Sequence, residues 1–283
     1  MLQQIKAYGV LVKFKLNITV VLSAVLSYLT IATTIETYKV VLLALGGFLV
    51  TSAANAINQL IEQDLDALMK RTNQRPLVTG TLTEVQAAVA AGLCAVVGTV
   101  LLFFINFECG FMGALAVFLY TVVYTPLKRT TPFAVFVGAF PGALPTLLGG
   151  VAAAGTLQSI EPWILFSIQF IWQFPHFWAI AWKSSDDYER AGFYLLPSGK
   201  RDKFTARQIL VYSLALIPMV LLPFAFNISG IYSAIFMVLS SLAFAFLAYD
   251  FYASLDDKKA SILMFSSFFY LPLIQIAMWL DKV

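Results

Sequence analysis

The sequence predicts an all-α integral membrane protein with nine transmembrane helices, and three observations predict it. Of its 283 residues, 60% are hydrophobic and 12% charged. A soluble domain is about a quarter charged, so lipid is the expected solvent for this much apolar surface. Nine apolar stretches are long enough, at about 1.5 Å per helical residue, to cross or nearly cross a hydrocarbon core of about 30 Å. The basic residues gather at the ends of alternate stretches. A net charge of +3 gives no indication of nucleic acid.

The elements follow in order. Span 1, near 14–35, is longer than the apolar segment of a signal peptide and has eight spans behind it, so it is an anchor. Span 2, near 40–57, runs straight into a charged stretch, and span 3 covers about 85–105. Span 4, near 110–125, is short and follows a brief loop that contains Cys109. Spans 5 and 6, near 132–153 and 162–182, open on Pro132 and Pro162, where proline costs little. Spans 7, 8 and 9 lie near 209–226, 231–249 and 260–280. Pro141, Pro145, Pro175, Pro218, Pro223 and Pro272 fall inside spans and predict kinks or unwound turns. There is no break in composition, so residues 1–283 read as one membrane domain. Cys94 and Cys109 suggest neither a disulfide framework nor a metal cluster.

Charge orients the bundle. Of the 18 basic residues, all but Lys39 and Lys282 precede span 1 or follow spans 2, 4, 6 and 8. That asymmetry marks one face as cytoplasmic and independently supports the number of spans. The acids are also uneven. Glu62, Asp64, Asp66 and Glu84 lie between spans 2 and 3, and Asp186, Asp187, Glu189 and Asp202 between spans 6 and 7. The layout reads as two four-helix repeats, about 14–125 and 132–249, with an extra helix at about 260–280.

Asn58, Glu62 and Asp66 are spaced i, i+4, i+8, so a helix continuing through them puts all three on one face and Asp64 opposite. Carboxylates at a membrane helix end suit a divalent cation, and magnesium takes one or two of them together with substrate phosphates. Lys70, Arg71 and Arg75 follow at once, and such cations hold phosphate oxygens. Spacing alone favours a solvated juxtamembrane loop.

The full pattern is more specific. Asn58, Glu62, Asp66, Met69, Arg71, Thr72, Arg75 and Gly80 fill the signature positions of the UbiA superfamily of intramembrane prenyltransferases, which this stretch resembles. The stretches "YTVVYTPLKRTTPFAVFVGAFPGALPTLLGG" from Tyr120 and "WQFPHFWAIAWKSSDDYERAGFYLLP" from Trp172 resemble the heme-farnesylating members of that superfamily. The resemblance implies nine helices around a central cavity, and a reaction of farnesyl diphosphate, heme B and water that gives heme O and pyrophosphate. It also implies a divalent metal, Mg2+, with heme B as substrate rather than cofactor; the lack of a transit-like leader favours a bacterial inner membrane. Membrane lipid surrounds the site, and heme A synthase or terminal-oxidase assembly machinery are the implied protein partners. One position departs from the superfamily pattern. Where many members repeat Asp-x-x-x-Asp after span 6, this chain has Lys183 and Asp187. Lys183 then meets diphosphate directly or a heme propionate.

The implied roles are these. Asn58, Glu62, Asp66 and Asp187 are the metal-binding and catalytic candidates; Arg71, Arg75, Lys128, Arg129, Lys70 and Lys183 are the diphosphate candidates. The farnesyl chain is expected among Phe, Leu and small residues, with Gly138, Gly142, Gly149 and Gly150 leaving space. Tyr120, Tyr124 and Trp172 offer ring faces to a carbocation, although aromatics in membrane proteins also pack or form interface belts. His176, the only histidine, is a candidate heme ligand; a propionate contact and the positioning of water are its other readings. Rival functions are prenyl transfer to a quinone precursor or other aromatic acceptor, a transporter, and a heme-binding assembly factor. Heme consumption together with pyrophosphate release separates them.

Overall fold

The computed structural model describes residues 2–283, which form helices and turns with one isolated antiparallel bridge, Ser229 to Lys282. A short helix α1 (Leu2–Leu11) precedes the first span, α2 (Phe14–Ile31), and then come α3 (Thr37–Ile61) and α4 (Gln63–Leu68). Next are α5 (Glu84–Phe103) and α6 (Phe107–Phe118), the latter extended by a π-helical segment (Leu119–Tyr124) and the turn α7 (Thr125–Leu127). The second half holds α8 (Ala134–Ala154), α9 (Ile160–Lys183), α10 (Ser185–Arg190), α11 (Lys203–Met219), α12 (Leu222–Ala225), α13 (Ile231–Ser254) and α14 (Asp257–Leu280). Among the described residues, nine helices are long and apolar enough to cross a membrane, as the sequence predicts. Helix is the form that pairs backbone groups where water is absent.

Side-chain caps fix several boundaries. Thr83 and Gln86 form a reciprocal capping box at the start of α5, Asn106 accepts the Cys109 amide at 2.7 Å, and Asp202 accepts that of Thr205 at 2.9 Å. The Asn106 cap starts the fourth span earlier than expected, so Cys109 is a buried helical residue and not part of a loop. Prolines behave more quietly than predicted. Pro141, Pro145, Pro175 and Pro272 sit within unbroken helices, and the chain unwinds only between Pro218 and Pro223.

The spans pack as a ring. Each of α2, α3, α5, α6, α8, α9, α11, α13 and α14 touches the next, α14 closes back on α2, and α8 and α9 make further inner contacts to α2 and α14. Those two are the centre, with 72% of each span's window buried against 22% for α5. Polarity is inverted relative to a soluble bundle. Outward positions such as Phe107, Phe269 and Leu280 are apolar, while Asn17, Asn55, Gln169, Gln173 and Gln275 are buried. Asn55 Nδ2 donates to Asn17 Oδ1 at 2.9 Å, and Asn17 Nδ2 donates to Ser52 Oγ at 2.8 Å. Ser23 donates to Gln275, Gln275 to Gln169, and Gln169 to the Gly142 carbonyl, stitching α2, α14, α9 and α8 together.

The glycines expected to leave space do the opposite. The Tyr124 ring closes over Gly138, Gln173 over Gly142, the Ala24 carbonyl over Gly149 and Pro162 over Gly150. They admit neighbouring helices, so the packing is tight where a pocket was expected. A Cβ at Gly149 would lie 1.9 Å from the Ala24 carbonyl oxygen, whereas one at Gly47 meets nothing within 4 Å. Gly149→Ala is therefore expected to cost about 1–3 kcal/mol and to lower the melting temperature in detergent, while Gly47→Ala leaves it in place.

Candidate active site

The charged stretch folds into the basic end of the bundle. The expectation of one continuous helix through Asp66 fails at Glu62, which caps α3 with φ −105° and ψ 13°. The turn-to-turn spacing survives the break, since the Glu62 amide donates to the Asn58 carbonyl at 3.0 Å and that of Asp66 to the Glu62 carbonyl at 2.8 Å. Asn58, Glu62 and Asp66 are 2%, 4% and 1% exposed, whereas Asp64 faces out. The other signature residues build the following turn. Met69 is buried, the Thr72 hydroxyl donates to the Asp66 carbonyl at 2.9 Å, and Gly80 adopts a left-handed φ of 72°.

Each buried acid has a cation. Arg75 pairs with Asp66 Oδ2, and Lys128 Nζ lies 2.5 Å from Glu62 Oε1. Lys128 arrives by way of the π-helical segment, a deviation common at functional sites. Just after it the Thr125 hydroxyl reaches back to the Tyr120 carbonyl at 2.8 Å and accepts from Asn58 Nδ2 at 3.1 Å. Asn58 Nδ2 also donates to Glu62 Oε2 at 2.9 Å. The Lys128 ammonium stands 5.1 Å from the Tyr124 ring centre and 4.9 Å from that of Phe193. A cavity of about 360 Å³ opens beside Glu62, lined by Ile61, Leu65, Thr125, Pro126, Arg129 and Thr130.

Asp187 has a different place from the one its spacing suggests. Its two oxygens accept the amides of Lys70 and Arg71 at 3.1 and 3.2 Å, and Arg190 pairs with it from the next turn. Partial burial pushes its carboxyl up, but the Arg71 and Lys70 amides and the Arg190 guanidinium outweigh this and hold it below its ordinary value. Asp187 thus clasps one charged loop to the other instead of joining Glu62 and Asp66. Arg71 is exposed and lies 6.0 Å from the Tyr188 ring centre. Lys70, Arg129 and Lys183 are exposed and join none of the ion pairs among the described residues.

One cation was missed by sequence reasoning, which counted Lys13 only as flanking charge. It joins α1 to α2 in a left-handed conformation, φ 50° and ψ 54°, rare for a residue with a side chain. Burial, then the like charges of Arg75 and Lys128, push its ammonium down to about 7 against the pull of Glu62, with Arg71 adding to the depression. Lys13 therefore sits in the electrostatic field of the same cluster. Only the turn between two helices brings it there, and no spacing signal marks it.

The aromatic candidates divide. Tyr120 and Tyr124 pack together, centroids 5.3 Å apart, with Tyr124 against Gly138 on α8. Trp172 and His176 stack at 4.4 Å and face α14, where His176 Nδ1 lies 2.7 Å from Ser267 Oγ.

Among the described residues, no three His, Cys, Asp or Glu side chains form a metal-holding group. The donor set nevertheless fits a hard divalent cation. Asp66 Oδ1 is buried without a hydrogen-bonding partner, and Glu62 Oε1 meets only the Lys128 ammonium. Two carboxylates, an adjacent amide and room for substrate oxygens and water are what magnesium takes.

Residues 18–270 match the UbiA prenyltransferase family. A protoheme IX farnesyltransferase of Christiangramia forsetii is 47% identical over 275 residues, which is 95% of this chain and 91% of that protein. One from Cytophaga hutchinsonii is 43% identical over 286 residues, covering all of both chains. A UbiA homolog from Archaeoglobus fulgidus, solved with GPP and Mg2+, has the same fold with a TM-score of 0.73 at 14% identity, covering 96% of this chain and 99% of that one.

Lys128→Ala leaves Glu62 buried without its cation and is expected to cost about 3–5 kcal/mol, read as a lower melting temperature that a second change, Glu62→Gln, largely restores. Lys13 has the opposite linkage. Its folded pKa of about 7 lies below the ordinary 10.5, so the folded chain binds fewer protons than the unfolded one between those values. Stability should therefore rise as pH increases from 7 towards 10, and Lys13→Met should flatten that rise in detergent melting curves.

Proposed function

The chain belongs to the UbiA prenyltransferase family, and we propose that it transfers the farnesyl group of farnesyl diphosphate to a vinyl group of heme B, with water addition, giving heme O and pyrophosphate. The observation that carries this reading is the buried pair Glu62 and Asp66, beside cations from separate segments, with one Asp66 oxygen left without a partner. The activity of the closely similar C. forsetii and C. hutchinsonii proteins supports heme as acceptor.

The chemical problem is to ionise an allylic diphosphate. The C–O electron pair leaves with pyrophosphate, so negative charge accumulates on phosphate oxygens. Asn58, Glu62 and Asp66 would hold a divalent metal, Mg2+, which would supply part of that neutralisation. Arg75 and Lys128, paired with the two acids, are the nearest cations to offer to the phosphate oxygens. Arg71 and Lys13 complete the positive wall, and Lys70, Arg129 and Lys183 draw the anion in from the rim. Asp187 keeps the two loops closed over the site.

The vinyl π electrons then form the new C–C bond, and the cation left beside the porphyrin takes hydroxide from water while the second proton leaves with pyrophosphate. No protein nucleophile is required. Tyr120 and Tyr124 face the developing carbocation, and Trp172 and His176 meet the heme, His176 at the iron. The two-repeat layout places one charged loop in each half, and the basic end faces the cytoplasm of an inner membrane. A heme A synthase or the terminal-oxidase assembly machinery receives the product.

Membranes containing the chain, given heme B and farnesyl diphosphate, should yield a heme heavier by one farnesyl group and one hydroxyl, together with pyrophosphate. Glu62→Gln and Asp66→Asn should each lower the rate about 10²–10³-fold. Solute flux without pyrophosphate would indicate a transporter, and heme binding without farnesyl consumption an assembly factor.

A further inference from the structure

We propose that Ser267 on α14 is a positioning residue that fixes His176 as the Nδ1–H tautomer, leaving the Nε2 lone pair free. The use of this arrangement rests on the reading above, in which His176 meets the heme iron; the tautomer itself does not.

The assignment follows from counting protons. Ser267 Oγ lies 2.5 Å from the Met264 carbonyl, and a carbonyl can only accept. The single hydroxyl proton therefore points at Met264. His176 Nδ1 lies 2.7 Å from the same Oγ, both side chains being buried. With the serine proton committed, that contact holds only if the imidazole donates, Nδ1–H to Oγ. A neutral imidazole has one proton, so Nε2 keeps a lone pair. Among the described residues no protein group hydrogen-bonds Nε2.

The surroundings hold the ring as well as its proton. Trp172 stacks on the imidazole at 4.4 Å and 18°, and its indole N–H donates to the Ser267 carbonyl at 3.2 Å. Phe268 meets the ring edge-on at 4.9 Å. Ser267 thus receives Trp172 through its backbone and His176 through its side chain. One residue of the last span sets the plane and tautomer of the only histidine. Metal-binding histidines are commonly oriented in this way, by a hydrogen bond to the ring nitrogen away from the metal.

Because the chain has a single histidine, 15N-histidine labelling of the full-length protein in lipid nanodiscs gives one imidazole to observe by NMR. We expect the Nδ1–H form alone, and a second, Nε2–H form on Ser267→Ala that disappears again in Ser267→Thr, which keeps the hydroxyl. A wild-type ring protonated at Nε2, or an unchanged Nδ1–H signal in Ser267→Ala, overturns the proposal. The wild-type signal is decisive even where Ser267→Ala does not fold. Heme B titration of the same samples separates the two readings. Ser267→Ala should weaken binding about 10-fold and shift the Soret band as His176→Ala does. An identical heme spectrum in His176→Ala sinks iron ligation and leaves the tautomer set by Ser267 standing.

Discussion

The structure depends on keeping two carboxylates out of water at the basic end of a lipid-soluble bundle. Glu62 and Asp66 are tolerable there only because Lys128 and Arg75 reach them, since an isolated buried charge costs several kcal/mol. That requirement organises much of the region. It explains why the fourth span departs from regular α-helix before Lys128, why Thr72 and Gly80 shape the turn that returns Arg75, and why Asn58 bridges Glu62 to Thr125. The same concentration of charge, with one Asp66 oxygen still unfilled, is what a metal and a diphosphate would complete.

The interior polarity has a related logic. Apolar surface gives helices no reason to associate in lipid, so packing and hydrogen bonds between spans carry the assembly. Here those bonds connect the ends of the chain. Ser23 on the first span meets Gln275 on the last, and Lys282 donates to the Leu29 and Ala32 carbonyls at 2.9 Å. The ninth span is therefore part of the bundle's closure and lies beside His176, although the repeat layout in the sequence leaves it as an addition.

What was legible in the sequence was whatever depends on local composition or fixed spacing. Nine apolar stretches give nine spans, and Asn58, Glu62 and Asp66 at i, i+4, i+8 reach one buried place even though the helix breaks at Glu62. Signals that depend on a distant partner were not legible. Asp187 looks like half of a metal motif by spacing, yet its oxygens face amides more than a hundred residues away. Gly142 and Gly149 suggest room, but Gln173 and Ala24 fill it. Lys13 resembles ordinary flanking charge until the joint between the first two helices brings it into the field of Arg75, Lys128 and Glu62. His176 stands out because it is alone, whereas Ser267 is one serine among many in an apolar helix.

The clasp at Asp187 also bears on biosynthesis. Its bonds to Lys70 and Arg71 join positions separated by 117 and 116 residues. A ribosome making this chain delivers Glu62 and Asp66 to the translocon with Arg75 close behind, but before Lys128 exists and long before Asp187 does. Until four further spans have been threaded into lipid, the nascent loop has no latch. The acids must wait at the bilayer margin, hydrated, and sealing of the chamber belongs to the second half of translation.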